Sequence, residues 1–176
     1  MNLSELLESH SRISCTGVLI NEYGILGING VLNIRNYQSL DSISFGELLI
    51  LHYQEMFPAF IANKNFISDY SKAIARQSIN VICAEDKDIG IVGFLVFCGV
   101  EHPIYERKDF FVREVYVAEN FRGIRLASEM VQFFKDQSST ENGKMFVDLQ
   151  FGNNGADKFW RSAGFLPFQQ RYILDE

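Results

Sequence analysis

Three apolar runs in close succession, residues 79–84, 91–100 and 110–117, constrain the fold of this chain more than any other feature. Only the charged turn EDKDIG separates the first two, so they read as an antiparallel hairpin, and the third follows across the polar loop EHPIYERKD. A sheet built around this hairpin is the expected centre of the molecule.

The flanking segments supply its cover. Residues 31–37 read as a strand, and Phe45, Leu48, Leu49, His52 and Met56 then keep the spacing of one helical face. Ser44 with Glu47 three residues on has the form of a capping box at that helix's start, and Pro58 marks its end. The aromatic stretch FPAFIANKNF leads into a second helix over 68–77. After the third apolar run, Leu126, Ala127, Met130, Val131 and Phe134 line one face of a helix. A strand over 145–151, a short helix over 156–162 and a last strand within 165–174 complete the order. Helices interspersed among antiparallel strands, with a strand-helix-strand unit near the end, predict an α/β (α+β) fold: a mixed, mostly antiparallel central sheet with helices on both faces.

The opening residues fit this scheme least. Leu3, Leu6, Leu7 and His10 suggest a short amphipathic helix over 3–10, and 18–20 and 25–28 look extended between glycines. An extra helix and hairpin packed on the sheet, or an oligomerisation arm, are both compatible with them, so a homodimer stays open.

Composition narrows the function. A chain of 176 residues suits one compact domain, and 47% hydrophobic against 22% charged residues excludes disorder. Sixteen Lys plus Arg face 22 Asp plus Glu, a formal charge of −6 with no basic patch. That excludes general nucleic-acid binding and favours a cationic partner. Cys15, Cys83 and Cys98 lie far apart and read as reduced thiols, while His10, His52 and His102 share no ligand spacing, so no metal is expected. No apolar stretch approaches the length of a membrane span and the N-terminus carries acid rather than base, so a cytoplasmic location without membrane attachment is expected.

The segment VYVAENFRGIRLASEMV sets a strand, a loop and a helix start in succession. Unpaired N–H groups at a helix start form a natural anion site. Within it, Arg122, Gly123, Ile124, Arg125, Leu126 and Ala127 occupy the frame R/Q-x-x-G-x-G/A, with Arg125 in place of the central Gly and Ser128 following. Some thirty residues later, NNGADKFWRSAGF places Asn153, Ala156, Trp160, Gly164 and Phe165 in the register Asn-x-x-Ala-x-x-x-Tyr-x-x-x-Gly-Phe, with Trp160 replacing the Tyr. On these two segments the chain resembles the GCN5-related N-acetyltransferases (GNAT) over residues 31–176, with residues 1–30 as an N-terminal extension.

The resemblance implies acetyl-CoA as co-substrate and an amine, expected to be cationic, as acceptor. It implies that Val115, Tyr116 and Val117 lie on a strand that splays from its neighbour to pair with pantetheine amides. Arg122 to Ser128 would cradle the pyrophosphate, and Asn153 or Asn154 would bond the pantetheine arm. Asn153 and Asn154 also fit a turn and helix cap. At Arg125 a helical φ accommodates any residue, so only side-chain direction is at issue there, and an outward guanidinium would add a donor to the phosphates.

Trp160 stands where relatives carry a Tyr acid, and an indole N–H does not deliver a proton near neutral pH. Tyr116, then Tyr105 and Tyr172, are the alternatives, although a thiolate with a conjugate pKa of about 8.5 also leaves unaided. The amine needs a proton acceptor, and Glu114, the one acid inside its apolar run, is the first choice, ahead of Glu101, His102 and Glu106. Phe57, Phe60, Phe66 and Tyr70 would wall the acceptor site or fill the core. The alternative function is a catalytically degenerate GNAT-fold module that binds acyl-CoA or a protein partner.

Overall fold

The computed structural model describes residues 20–21, 24–27, 30–139, 142–150 and 152–169. The helix expected over 3–10, together with Cys15 and Tyr172, lies outside them.

Among the described residues seven strands form one sheet in chain order: β1 (Ile20–Asn21), β2 (Gly24–Gly27), β3 (Gly30–Asn36), β4 (Asn80–Asp86), β5 (Gly90–Glu101), β6 (Lys108–Val117) and β7 (Met145–Val147). Every adjacent pair is antiparallel except β6 and β7, which run parallel. The β4–β5 hairpin is the one the apolar runs predict. Its residues 91–97 and 81–84 are all buried, because the sheet is covered on both sides there.

One face is covered by α1 (Ser42–Met56) and α2 (Phe66–Ala75). Phe45, Leu48, Leu49 and His52 are the buried face of α1, and Phe45 meets Phe94 of β5 edge-on with ring centres 5.3 Å apart. Gly46 lets α2 approach closely, since a Cβ there would sit 2.8 Å from Ile67. The other face is covered by α3 (Leu126–Ser138), whose Phe134 packs 4.8 Å from the Phe97 ring. After β7 comes α4 (Asn154–Ser162), tied to α3 by the Lys135 ammonium, which donates to the carbonyl of Ala163.

The local expectations need three corrections. Helix α1 starts at Ser42, not at a Ser44–Glu47 capping box: Asp41 is the N-cap, and the Ser44 hydroxyl donates to the Asp41 carbonyl at 3.3 Å. The Asp41 carboxylate takes the Gln38 N–H at 2.7 Å and both terminal nitrogens of Arg35, at 2.7 and 2.8 Å, which anchors α1 to β3. Strand β7 stops at Val147 rather than 151, and 165–169 are irregular where a strand is expected, with 170–174 outside the described residues.

Candidate active site

Strand β6 changes its pairing at Arg113. Val96 of β5 faces Glu114, yet Phe97 faces Val112, so Arg113 is an extra residue in a β-bulge. Pairing with β7 ends at the same level, with Val112 against Val147. Beyond it β6 continues for five residues paired with β5 alone, with no strand on its other side among the described residues.

The direction of the free groups follows from the ladder. Ala118 N–H donates to Val92 O at 2.9 Å, and bonded pairs alternate along an antiparallel ladder. Counting back, Tyr116 and Glu114 bond to β5, while Val115 and Val117 direct their N–H and C=O groups into the opening beside β7. The Arg122 Nε–H donates to Val117 O at 2.9 Å, as that direction requires.

At the end of this opening lies the start of α3. Gly123 has φ +80° with open space where a Cβ would stand, and Arg125, the N-cap of α3, has φ +66° and ψ 12°. This corrects the helical φ expected at 125: the position keeps the left-handed backbone that favours glycine, at a cost of about 1–2 kcal/mol for a residue with a Cβ. The Arg125 side chain is exposed, and the N–H groups at the start of α3, through Ala127 and Ser128, have no partner within the helix. A loop of this shape fits an anionic phosphate group.

Arg122 itself turns toward Glu55 of α1. Its guanidinium lies 2.6 Å from Glu55 Oε2 and 5.4 Å over the Tyr116 ring, and the Tyr116 hydroxyl donates to Glu55 Oε1 at 2.5 Å. Burial pushes the Glu55 carboxyl up, but the bonds from Tyr116 and Arg122 outweigh it and hold the group below its ordinary range. Burial and the Glu55 carboxylate both raise Tyr116, so its phenol stays protonated.

Glu114 faces α1 and α2. Its Oε1 accepts the Tyr53 hydroxyl at 2.9 Å and the Tyr70 hydroxyl at 2.6 Å, whereas Oε2 is buried with no hydrogen-bond partner among the described residues. The nearest basic atom to Oε2 is His52 Nε2 at 3.8 Å. Burial lowers His52, against the opposing pull of Glu114, and so favours its neutral form. Burial and the nearby Glu114 charge push Tyr53 up to about 12 and raise Tyr70 further, so both remain donors. A cavity of about 520 Å³ opens beside this group, lined by Tyr53, Phe66, Tyr70, Val96, Arg113 and Glu114 among others.

The remaining expected residues separate. Asn153 caps α4 by accepting the Ala156 N–H at 3.0 Å, and Asn154 is the helix's first residue. Trp160 is 6% exposed and packs edge-on to Phe159 and Phe165. Glu101, at the end of β5, and Tyr105 and Glu106, on the β5–β6 loop, are exposed, and His102 Nδ1 in that loop accepts the N–H groups of Ile104 and Tyr105. Sequence reasoning missed Tyr53 and Glu55, and it saw in His52 only a member of an apolar helical face. A histidine and a tyrosine side by side in that stripe were the available signal.

A split sheet edge running into a helix start is the arrangement that the resemblance to the GNAT acyltransferases implies. The family model described as "Acetyltransferase (GNAT) family" matches residues 44–165, and the chain belongs to that family. Solved structures agree on the fold. An acetyltransferase from Trypanosoma brucei superposes with a TM-score of 0.68 at 19% identity, covering 82% of this chain and 99% of that one. The ribosomal-protein-alanine N-acetyltransferase from Brucella melitensis biovar Abortus 2308 gives 0.70 at 16% identity, covering 82% and 99%. An aminoglycoside acetyltransferase from an uncultured soil metagenomic sample, in complex with sisomicin, gives 0.70 at 16% identity, covering 82% and 95%. No curated protein matches the sequence significantly.

Proposed function

We propose that this protein is an N-acetyltransferase that moves the acetyl group of acetyl-CoA to a primary amine of a small molecule, peptide or protein. The observation that carries the reading is the Glu114 carboxylate, whose Oε1 is saturated by two tyrosines while Oε2 is buried and unclaimed beside a cavity.

The chain's own groups then take these roles. Val115 and Val117 offer amide groups along the open edge of β6 for the pantetheine arm, and Arg122 to Ser128 offer N–H groups and guanidinium charge for the pyrophosphate. The thioester supplies the activated acetyl group. An ammonium entering the cavity meets the Glu114 side chain, which is 15% exposed, and the carboxylate takes its proton, directly or through one water. The neutral nitrogen forms a bond to the thioester carbon as the carbon–sulfur bond breaks, with the Val115 N–H placed to bond the carbonyl oxygen. The sulfur leaves as a thiolate with a conjugate pKa of about 8.5 and takes its proton from solvent, because the Tyr116 phenol is raised by burial and already donates to Glu55.

The test is release of free thiol from acetyl-CoA by the purified full chain across a broad amine panel, with calorimetric titration of CoA alongside. Amine-dependent release supports transfer. Binding of CoA without release under any amine would support the alternative of an acyl-CoA-binding module.

A further inference from the structure

Resting on that reading, we propose that the acceptor is a zwitterion: an amine that also carries a carboxylate, of the class of α-amino acids with an apolar side chain, seated between Glu114 and Arg113.

The bulge is the first support. Regular alternation would send Arg113 and Glu114 to opposite faces of the sheet. The extra residue re-aims one of them, and both line the same cavity, with Cα atoms about 3.8 Å apart. A carboxylate and a guanidinium are thus presented side by side to one ligand.

Charge balance is the second. Asp69 also lines the cavity, but it is ion-paired with Lys72 at 2.9 Å and both are more than 60% exposed, so it contributes little. Glu114 is a part-buried carboxylate of the cavity wall with no cationic group closer than His52 at 3.8 Å among the described residues, and Arg113 is exposed, with no side-chain ion pair or hydrogen bond among those residues. An ammonium on Glu114 and a carboxylate on the planar fork of Arg113 satisfy both. A polyamine would instead bring a second positive charge up to Arg113. Around these two groups Phe66, Ala73, Ile79 and Val96 give the larger, apolar part of the wall, with Asn63 and Ser78 among its polar members, which suits a ligand that carries an apolar side chain.

The experiment pairs amines that differ only by the carboxylate. Phenylalanine against phenethylamine, and leucine against isoamylamine, are titrated calorimetrically into the full chain saturated with CoA, with spermidine as the polycation. The expected result is that at least one amino acid binds about ten-fold or more tightly than its decarboxylated partner and than spermidine. R113Q should collapse that ratio toward one, and R113K should restore part of it. Equal binding within each pair, preference for spermidine, no binding by any of the amines, or a ratio untouched by R113Q would overturn the proposal. Thiol release in the same samples separates the two levels: acetylation fastest on spermidine sinks the zwitterion alone, whereas selective amino-acid binding without release under any amine sinks the transfer reading.

Discussion

The Tyr70 hydroxyl, on a helix 44 residues earlier in the chain, donates a 2.6 Å hydrogen bond to Oε1 of Glu114. With Tyr53 on the same oxygen at 2.9 Å, it fixes the carboxylate and leaves Oε2 buried without a hydrogen-bond partner among the described residues. Both tyrosines are held as neutral donors by burial and by Glu114's own charge, which makes the three side chains one unit.

Removing the charge from that unit isolates its chemistry. Glu114→Gln keeps a carbonyl oxygen for the two hydroxyls but loses the proton acceptor, so kcat/KM should fall about 10²–10⁴-fold. Calorimetric affinity for CoA should be unchanged. A variant with near wild-type turnover would remove Glu114 from the mechanism.

Removing the support acts differently. Tyr70→Phe frees Oε1 while leaving the ring, and the misplaced carboxylate should lower kcat by about ten-fold or more with a smaller change in KM for the amine. Tyr53→Phe should do the same more weakly, because its bond is longer. Steady-state kinetics on both variants check the order.

Much of this was legible in the sequence, but unevenly. The strands of residues 79–117 were readable because buried runs of Val, Ile and Phe broken by charged turns have few alternatives, and Glu114 stood out as the acid within one of them. The bulge at Arg113 was invisible, since a single extra residue leaves the apolar pattern of β6 intact. Tyr53 and Tyr70 reach Glu114 only through tertiary packing of α1 and α2, which local spacing does not encode. Arg125 misled for a related reason: next to a helix it suggested helical φ, whereas the turn from β6 into α3 imposes the left-handed one. Ser44 and Glu47 matched a capping box, yet with Asp41 as N-cap, held by Arg35, the helix starts three residues earlier.

The backbone at Arg125 gives a stability prediction. Arg125→Gly should raise stability by about 1 kcal/mol, relief of the left-handed strain less the added freedom of the unfolded chain, and lift Tm by about 2–4 °C. Arg125→Ala keeps a Cβ and should give no such gain. Thermal unfolding of the two variants distinguishes backbone relief from loss of charge.

Arg122 and Glu55 are each about half exposed, at 46% and 48%. Such a pair is worth little to folding, so Glu55→Gln should cost under about 1 kcal/mol in chemical denaturation, and a loss several times larger would contradict the screened geometry.

His52 supplies the pH dependence. Its folded pKa lies below the ordinary 6.5, with burial the main cause. Between the folded and unfolded values the unfolded chain binds the extra proton, so this contribution is complete above 6.5 and is lost as pH falls through the folded value. Denaturation midpoints should decline below pH 6.5 in the wild type, and His52→Asn should flatten that limb. Parallel curves for the two proteins would contradict it.

The most direct measurement is a parallel count of free thiol and of acetylated amine, the latter by mass spectrometry, for wild type and Glu114→Gln at saturating acetyl-CoA with the amine panel. The account predicts one amide formed for each thiol released, with both rates reduced at least about 10²-fold in the variant. Thiol release without amide, or amide formation unaffected by the substitution, would contradict it.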